Sequence, residues 1–175
     1  MEIHRYEKIW TAASLLMIIG FIATITYGTV FVGVAMVDDS GGTIDASALD
    51  EHPEFSDPGV RATTEDGERT ADAYVVARQY LFQPGTAEPI TVPANTPVTF
   101  HVTSADVTHG FSVVGTNVNT MVIPGQVAEI TVEFSETGDY GVVCHEYCGA
   151  GHHDMAGTIQ VVPRSEFFDE TEVNA

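Results

Sequence analysis

The feature that most constrains this chain is a long uncharged stretch near its N-terminus. From Ile9 to Met36, 28 consecutive positions contain no Asp, Glu, Lys or Arg, and most are large apolar residues. As a helix this stretch would be about 42 Å long, against a hydrocarbon core of about 30 Å. A cleaved signal peptide usually has a shorter apolar region and a small-residue cleavage site, which does not clearly follow here. The stretch therefore predicts a single transmembrane helix within an N-terminal anchor, residues 1–37.

The charges that flank this stretch predict its orientation. Arg5 and Lys8 precede it, whereas Asp38 and Asp39 follow it. Because basic residues concentrate on the cytoplasmic side of membrane spans, the N-terminus is expected in the cytoplasm. The rest of the chain is then extracytoplasmic, on a single-pass protein of the cell membrane.

The charge balance excludes one class of partner and suggests an environment. A net charge of -19 would repel nucleic acid, which requires basic residues to replace its counterions. After the apolar stretch there are 23 acidic residues, four arginines and no lysine. Such a surface suits very high salt, where self-repulsion is screened, although a docking face for a basic partner is the alternative. Because the acidic residues are spread along the whole segment, we favour a halophilic protein.

Two acidic segments flank the part of the chain that has clear periodicity. Residues 38–72 contain eleven acidic and two basic residues among Gly, Pro, Ser and Thr, without a helical or strand period. This composition predicts a solvated acidic linker. Residues 164–175 are also acidic and are predicted to form a loosely held C-terminal tail.

Between these segments, residues 73–163 have the pattern of a mainly β domain. Short runs rich in Val, Ile, Thr and Phe alternate with Pro, Gly, Asn and Asp. Val98, Phe100 and Val102 alternate with polar residues, which places them on one inward face. The expected architecture is a small antiparallel β-sandwich. Its predicted strands are Tyr74–Tyr80, Ile90–Val92, Val98–Thr103, Phe111–Val114, Val127–Phe134, Tyr140–Cys144 and Thr158–Val162.

A soft set of metal-binding side chains lies in the stretch C-H-E-Y-C-G-A-G-H-H-D-M, which begins at Cys144. Thiolate, imidazole and thioether donors favour copper over calcium or magnesium. A single blue copper ion needs only one thiolate, whereas Cys144 and Cys148 could bridge two copper ions. His152 would supply one imidazole and His109, from a distant segment, the other. A disulfide between the cysteines and a zinc site remain open from the residues alone.

The pattern C-x-E-x-C-G-x-G-H-x-x-M, preceded by S-x-D-V-x-H, resembles subunit II of the haem-copper cytochrome c oxidases. The resemblance covers Ala73 to Val162, and one N-terminal span that begins after Y-E-K is similar to the B-type members. The fold that it implies is a cupredoxin-like Greek-key β-sandwich preceded by a single transmembrane α-helix.

The resemblance also implies a ligand set for a binuclear copper centre, CuA. Cys144 and Cys148 would be its bridging thiolates, His109 and His152 its imidazole ligands, Met155 a weak ligand and Glu146 a ligand through its backbone carbonyl. In some relatives the corresponding glutamate side chain extends toward a magnesium ion. Whether Glu146 does so in this chain stays open. In the segment A-R-Q-Y-L-F, Tyr80 stands where the family has an electron-accepting tryptophan.

The implied function is that of an electron-accepting subunit in the respiratory chain. An external donor, either cytochrome c or a small blue copper protein, would deliver electrons to CuA. The subunit would pass them to haem in subunit I of a proton-translocating oxidoreductase complex, where dioxygen is reduced. This chain would make no bond itself. The alternative is a membrane-tethered mononuclear cupredoxin, which would have no use for the second thiolate, Cys148.

Overall fold

The computed structural model describes residues 4–27, 41–65 and 67–173. An N-terminal helix, α1, extends from Arg5 to Tyr27. Within the described residues it is the one helix that is long and apolar enough to cross a membrane, by length and composition. The predicted apolar helix is thus confirmed up to Tyr27. Positions 28–36 of the uncharged stretch lie outside the described residues, and the orientation of the span stays a prediction.

The described residues from position 41 onward are built around a β-sandwich of two five-stranded sheets, which confirms the predicted fold class. Sheet 1 has the strand order β1-β2-β5-β8, with β3 also paired to β2, and sheet 2 has the order β4-β10-β9-β6-β7. The β2/β5 and β4/β10 pairs are parallel, and the other pairs are antiparallel. The expectation of a wholly antiparallel sandwich was therefore wrong, because each sheet contains one pair of strands that are distant in the sequence and run in the same direction. The strands are β1 Val60–Glu65, β2 Glu68–Arg78, β3 Leu81–Gln83, β4 Ile90–Pro93, β5 Pro97–Ser104, β6 His109–Val113, β7 Asn119–Val122, β8 Ala128–Glu133, β9 Gly138–Val143 and β10 Ala156–Val162.

The core lies between the sheets and is built on strand alternation. On β5, Val98, Phe100 and Val102 are fully buried, as their spacing predicts, because successive side chains of a strand point to opposite faces. Phe111 of β6 meets Phe82 of β3 edge to face, with 5.6 Å between ring centroids, and lies 5.7 Å from Phe100. These aromatic contacts link the two sheets directly.

The sandwich begins earlier in the chain than the sequence pattern indicates. Strand β1 and the first residues of β2 lie within the segment expected to be a solvated linker. Ala71 and Ala73 are buried, but alanine is a weak strand signal and β1 carries mainly polar residues. A fragment that began at Ala73 would therefore cut through β2.

Two further segments pack against the sandwich. Leu49 and Phe55, from the acidic segment, are buried in a small cluster with Val76 and Val127. Instead of a loose tail, Arg164–Val173 forms a helix, α2, which packs on β1 and β4. Its Phe167 and Phe168 are buried in the main core. The guanidinium groups of Arg69 and Arg164 lie 5.3 and 5.7 Å from the Phe168 ring centroid.

Candidate metal centre

The candidate centre lies at one end of sheet 2, in the loop of residues 144–155 that joins β9 to β10. We call this segment the ligand loop. Val143 and Ala156 are paired across the two strands, and the Cys144 N–H donates to the Met155 carbonyl at 3.2 Å. The two ends of the loop are therefore held together by the sheet. Gly149, at the middle of the loop, has a φ of +132°, a conformation that side chains rarely adopt.

The two cysteines are buried and unbonded. Their Sγ atoms are 3.8 Å apart, well beyond the disulfide bond length of about 2.05 Å. The structure thus contradicts the disulfide alternative and leaves both sulfurs free to bind a metal. This spacing also brings them close enough to share a metal site.

Each thiol has an imidazole beside it. His109, the first residue of β6, is fully buried and places Nδ1 3.8 Å from Cys144 Sγ. His152, in a short 3-10 helix of the ligand loop, places Nδ1 3.6 Å from Cys148 Sγ. In the described residues, the ligand atoms of His109, Cys144 and Cys148 all lie within 4.8 Å of one another. Tertiary pairing of β6 with β9 therefore brings the distant histidine to the loop.

The two weaker donors are also in place. Met155 Sδ lies 3.7 Å from Cys148 Sγ, and the Glu146 backbone carbonyl oxygen lies 3.1 Å from Cys144 Sγ. The structure thus gathers all six residues that the resemblance implies, although their binding to a metal remains a prediction. Two thiols, two imidazoles and a buried thioether form a soft donor set that fits copper. The thioether is a donor that a zinc site would not need.

The thiols must lose protons when a metal binds. Burial, and secondarily the neighbouring Cys144, raise the pKa of Cys148 to about 11. In the metal-free chain Cys148 is therefore a neutral thiol near pH 7. Since metals bind cysteine as thiolate, loading of the site is expected to release this proton.

Asp106 orients the buried histidine. Its Oδ1 lies 2.8 Å from His109 Nε2, and its Oδ2 accepts a hydrogen bond from the Gln79 N–H at 2.7 Å. Partial burial acts to raise the pKa of Asp106, but hydrogen bonds from His109, Gln79 and Val107 outweigh it and leave the pKa below its usual value. The ionised carboxylate can only accept, so His109 donates from Nε2 and directs Nδ1 toward the thiols. Sequence reasoning missed this role; the signal is the carboxylate three residues before the histidine.

Gln79 and Tyr80 contact the ligand loop directly. The Gln79 side-chain amide donates to the Cys148 carbonyl oxygen. The half-buried Tyr80 ring lies against Gly149 and Gly151. Tyr80, which the resemblance places at the position of the family's tryptophan, is thus next to the candidate centre, while a role for it in accepting electrons stays a prediction. Nothing in the sequence motif itself pointed to Gln79.

Comparison with known protein families identifies a match over most of the sandwich. A family model described as cytochrome C oxidase subunit II, periplasmic domain, matches residues 63–162. The match begins inside β1, so it includes strands that the sequence pattern did not reveal. A cytochrome c oxidase subunit 2 of Thermus thermophilus is 39% identical over 158 residues, which cover 89% of this chain and 91% of that protein.

Solved structures have the same fold. A chain from the cryo-EM structure of a heme-copper terminal oxidase dimer is 30% identical, with a TM-score of 0.58, over 90% of this chain and 100% of that one. The periplasmic domain of subunit II of cytochrome oxidase of Bradyrhizobium japonicum is 25% identical. Its TM-score is 0.53, over 58% of this chain and 91% of that one. The first of these two matches extends over more of this chain than the second, 90% against 58%.

Proposed function

This chain belongs to the cytochrome c oxidase subunit II family, and from that membership we propose that it is the electron-accepting subunit of a membrane-bound terminal oxidase. In this proposal it receives electrons from an external donor at a binuclear copper centre and passes them to haem in subunit I. The observation that carries the proposal is the pair of free thiols, 3.8 Å apart, each with its own imidazole. A mononuclear cupredoxin would require only one of those thiols.

The six gathered residues would divide into three pairs, each with its own role. Cys144 and Cys148 would bridge the metals, His109 and His152 would supply one imidazole to each, and Met155 and the Glu146 carbonyl would be weak ligands. When bound, a thiolate-bridged copper pair accepts and releases one electron at a time, which is the chemistry that a respiratory electron donor requires. The soft thiolate, imidazole and thioether donors of these residues suit such a copper pair.

The fold would keep the donor atoms in fixed positions and shield most of them from water. His109 begins β6, Cys144 follows β9 and Met155 precedes β10, so three neighbouring strands fix the ends of the site. Cys144, Cys148 and Met155 are each less than a tenth exposed, and His109 is fully buried. Because His109, Cys144 and Met155 lie at the ends of paired strands and are buried, a change of charge at the centre would require little movement of the protein. Rigidity of this kind favours fast electron transfer.

The placement in the membrane follows from the same proposal. Helix α1 would anchor the chain beside subunit I, and the sandwich would stand outside the cytoplasm. The donor would be cytochrome c or a small blue copper protein. The complex would be an oxidoreductase in which dioxygen is reduced in subunit I and no bond is made in this chain.

The direct test of the proposal is the copper content of the purified chain. We expect two copper ions per chain, because two thiols and two imidazoles provide a bridge and one nitrogen ligand for each ion. Metal analysis gives the ratio, and electron paramagnetic resonance should show hyperfine splitting shared between two copper nuclei. One copper per chain, with splitting from a single nucleus, would reject the proposal in favour of a mononuclear cupredoxin.

The acidic surface leads to a separate prediction about salt. The 23 acidic residues after the apolar stretch, offset by only four arginines, should repel one another at low ionic strength and weaken the folded state. Raising the salt concentration shortens the Debye length from about 30 Å at 0.01 M to about 3 Å at 1 M. The melting temperature of the copper-loaded chain in detergent should therefore rise from low to molar salt. A melting temperature that stays level or falls would favour the alternative of a docking face for a basic partner.

A further inference from the structure

A continuous set of hydrogen bonds joins the two segments that carry the ligands. From His109, the path runs through the Asp106 carboxylate to the Gln79 N–H, with contacts of 2.8 and 2.7 Å. From the same Gln79, the side-chain amide donates to the carbonyl oxygen of Cys148. Gln79 is therefore linked to both segments that carry ligands. It is linked to His109 through Asp106, and to Cys148 through the Cys148 carbonyl oxygen.

Gln79 lies in a tight turn between two paired strands, so its backbone position is fixed by sheet 1. It follows β2, which ends at Arg78, and Leu81 of β3 pairs back with Arg78. Gln79 and Tyr80 thus form the turn of a hairpin in sheet 1. The ligand loop belongs to sheet 2. The amide of Gln79 consequently ties the ligand loop of one sheet to a tight turn of the other.

The ligand loop lies against this turn without space between them. A Cβ added to Gly149 would lie 2.6 Å from the Tyr80 hydroxyl oxygen and 2.8 Å from Gln79 Nε2. A Cβ added to Gly151 would lie 2.6 and 2.8 Å from two carbons of the Tyr80 ring. Glycine at both positions lets the loop backbone come close enough for the Cys148 carbonyl to reach the Gln79 amide.

We propose that Gln79 is a positioning residue, which sets the separation of the His109 imidazole and the Cys148 thiol through Asp106 and the Cys148 carbonyl. The inference rests on the proposed function, because the separation matters only for a metal that both ligands share. Groups that orient metal ligands in this way typically change metal affinity about 10–100-fold when removed. In this role Gln79 acts through the Asp106 carboxylate and the Cys148 carbonyl, and not through the sulfur or nitrogen atoms that would bind the metal.

Two substitutions separate the side-chain contact from the backbone contact. Gln79→Glu keeps the size of the side chain but replaces the donating amide with a carboxylate that repels the Cys148 carbonyl. Gln79→Ala removes the side chain altogether. Both leave the Gln79 N–H free to donate to Asp106. The matched control is Gln83→Ala, since Gln83 is an exposed glutamine in β3 of the same hairpin.

The experiment compares the full chain and its variants in detergent after loading with copper. For Gln79→Glu and Gln79→Ala we expect copper loss to a chelator to be about tenfold faster, with changed copper hyperfine coupling. The melting temperature of the metal-free variants should match that of Gln83→Ala. Unchanged loss rates and spectra would overturn the inference. So would unchanged spectra with a lower metal-free melting temperature, which would show a merely structural role.

Failure of the positioning role of Gln79 can be distinguished from failure of the proposed function. The number of copper ions bound by the unsubstituted chain tests that function, whereas the difference between Gln79 and Gln83 variants tests the positioning role. If the unsubstituted chain bound a single copper, the variants would still be compared by loss rate and hyperfine coupling at that ion. Equal values for the Gln79 and Gln83 variants would then reject the positioning role as well.

Discussion

A chain that carries Cys148→Ser is expected to lose the two-copper centre and its thiolate-to-copper absorption. Cys148 Sγ is the point where several donors converge: Cys144 Sγ lies 3.8 Å away, His152 Nδ1 3.6 Å and Met155 Sδ 3.7 Å. A serine hydroxyl is a hard donor that stays protonated near neutral pH, so it cannot replace a bridging thiolate for a soft metal. Copper content per chain and the hyperfine pattern measure the loss.

The same result is expected for Cys144→Ser, because its sulfur is the other half of the bridge. Met155→Leu is the matched control. It removes a sulfur atom from the same buried site and keeps an apolar side chain of similar volume. Since a thioether tunes a copper site more than it holds it, this variant should keep two copper ions and change only the reduction potential. Two copper ions and unchanged colour in Cys148→Ser would show that the thiolate is not a bridge.

The Phe111→Ala variant is expected to lose about 3–5 kcal/mol of the free energy of unfolding in the metal-free chain. Phe111 is fully buried and lies 5.6 Å from Phe82 and 5.7 Å from Phe100, measured between ring centroids. Its removal would leave a cavity where the two sheets meet. Because domains are stable by only about 5–15 kcal/mol, this loss is a large part of the total. Chemical denaturation of the metal-free chain measures it.

Phe111→Leu is the comparison for this core position, and it should cost less because leucine refills part of the cavity. Phe111 also lies two residues after His109 on β6, so the experiment is repeated with copper. A metal that binds the folded state alone raises stability by an amount set by its concentration and affinity. Copper should therefore raise the unfolding free energy of both variants. A loss below about 1 kcal/mol in Phe111→Ala would show that the sheets repack around the missing ring.

Much of the candidate site could be predicted because the chemistry of its donors is local. Five of the six gathered residues lie within the twelve positions of the ligand loop, and their sulfur and imidazole donors favour copper wherever the loop is placed. The uncharged N-terminal stretch likewise predicted a helix, since a long apolar run has few other stable structures. Alternation on β5 predicted its buried face correctly.

Other features could not be predicted because they depend on which distant segments pair. Residues 60–65 and 68–72 became strand because β2 pairs with both β1 and β5, which buries alanines that signal little on their own. Helix α2 formed a packed element because Phe167 and Phe168 found an apolar surface on the sandwich.

The contact of Gln79 with the centre has the same origin. Asp106 reaches His109 locally, three residues along the chain, but Gln79 is an ordinary polar residue separated from Cys148 by a long stretch of chain. Gln79 acts on the site only because the β2–β3 hairpin of sheet 1 meets the ligand loop of sheet 2. The local sequence thus determines the types of ligand. Their mutual positions arise from side-chain burial that drives the two sheets together, a property of the whole fold that no short motif contains.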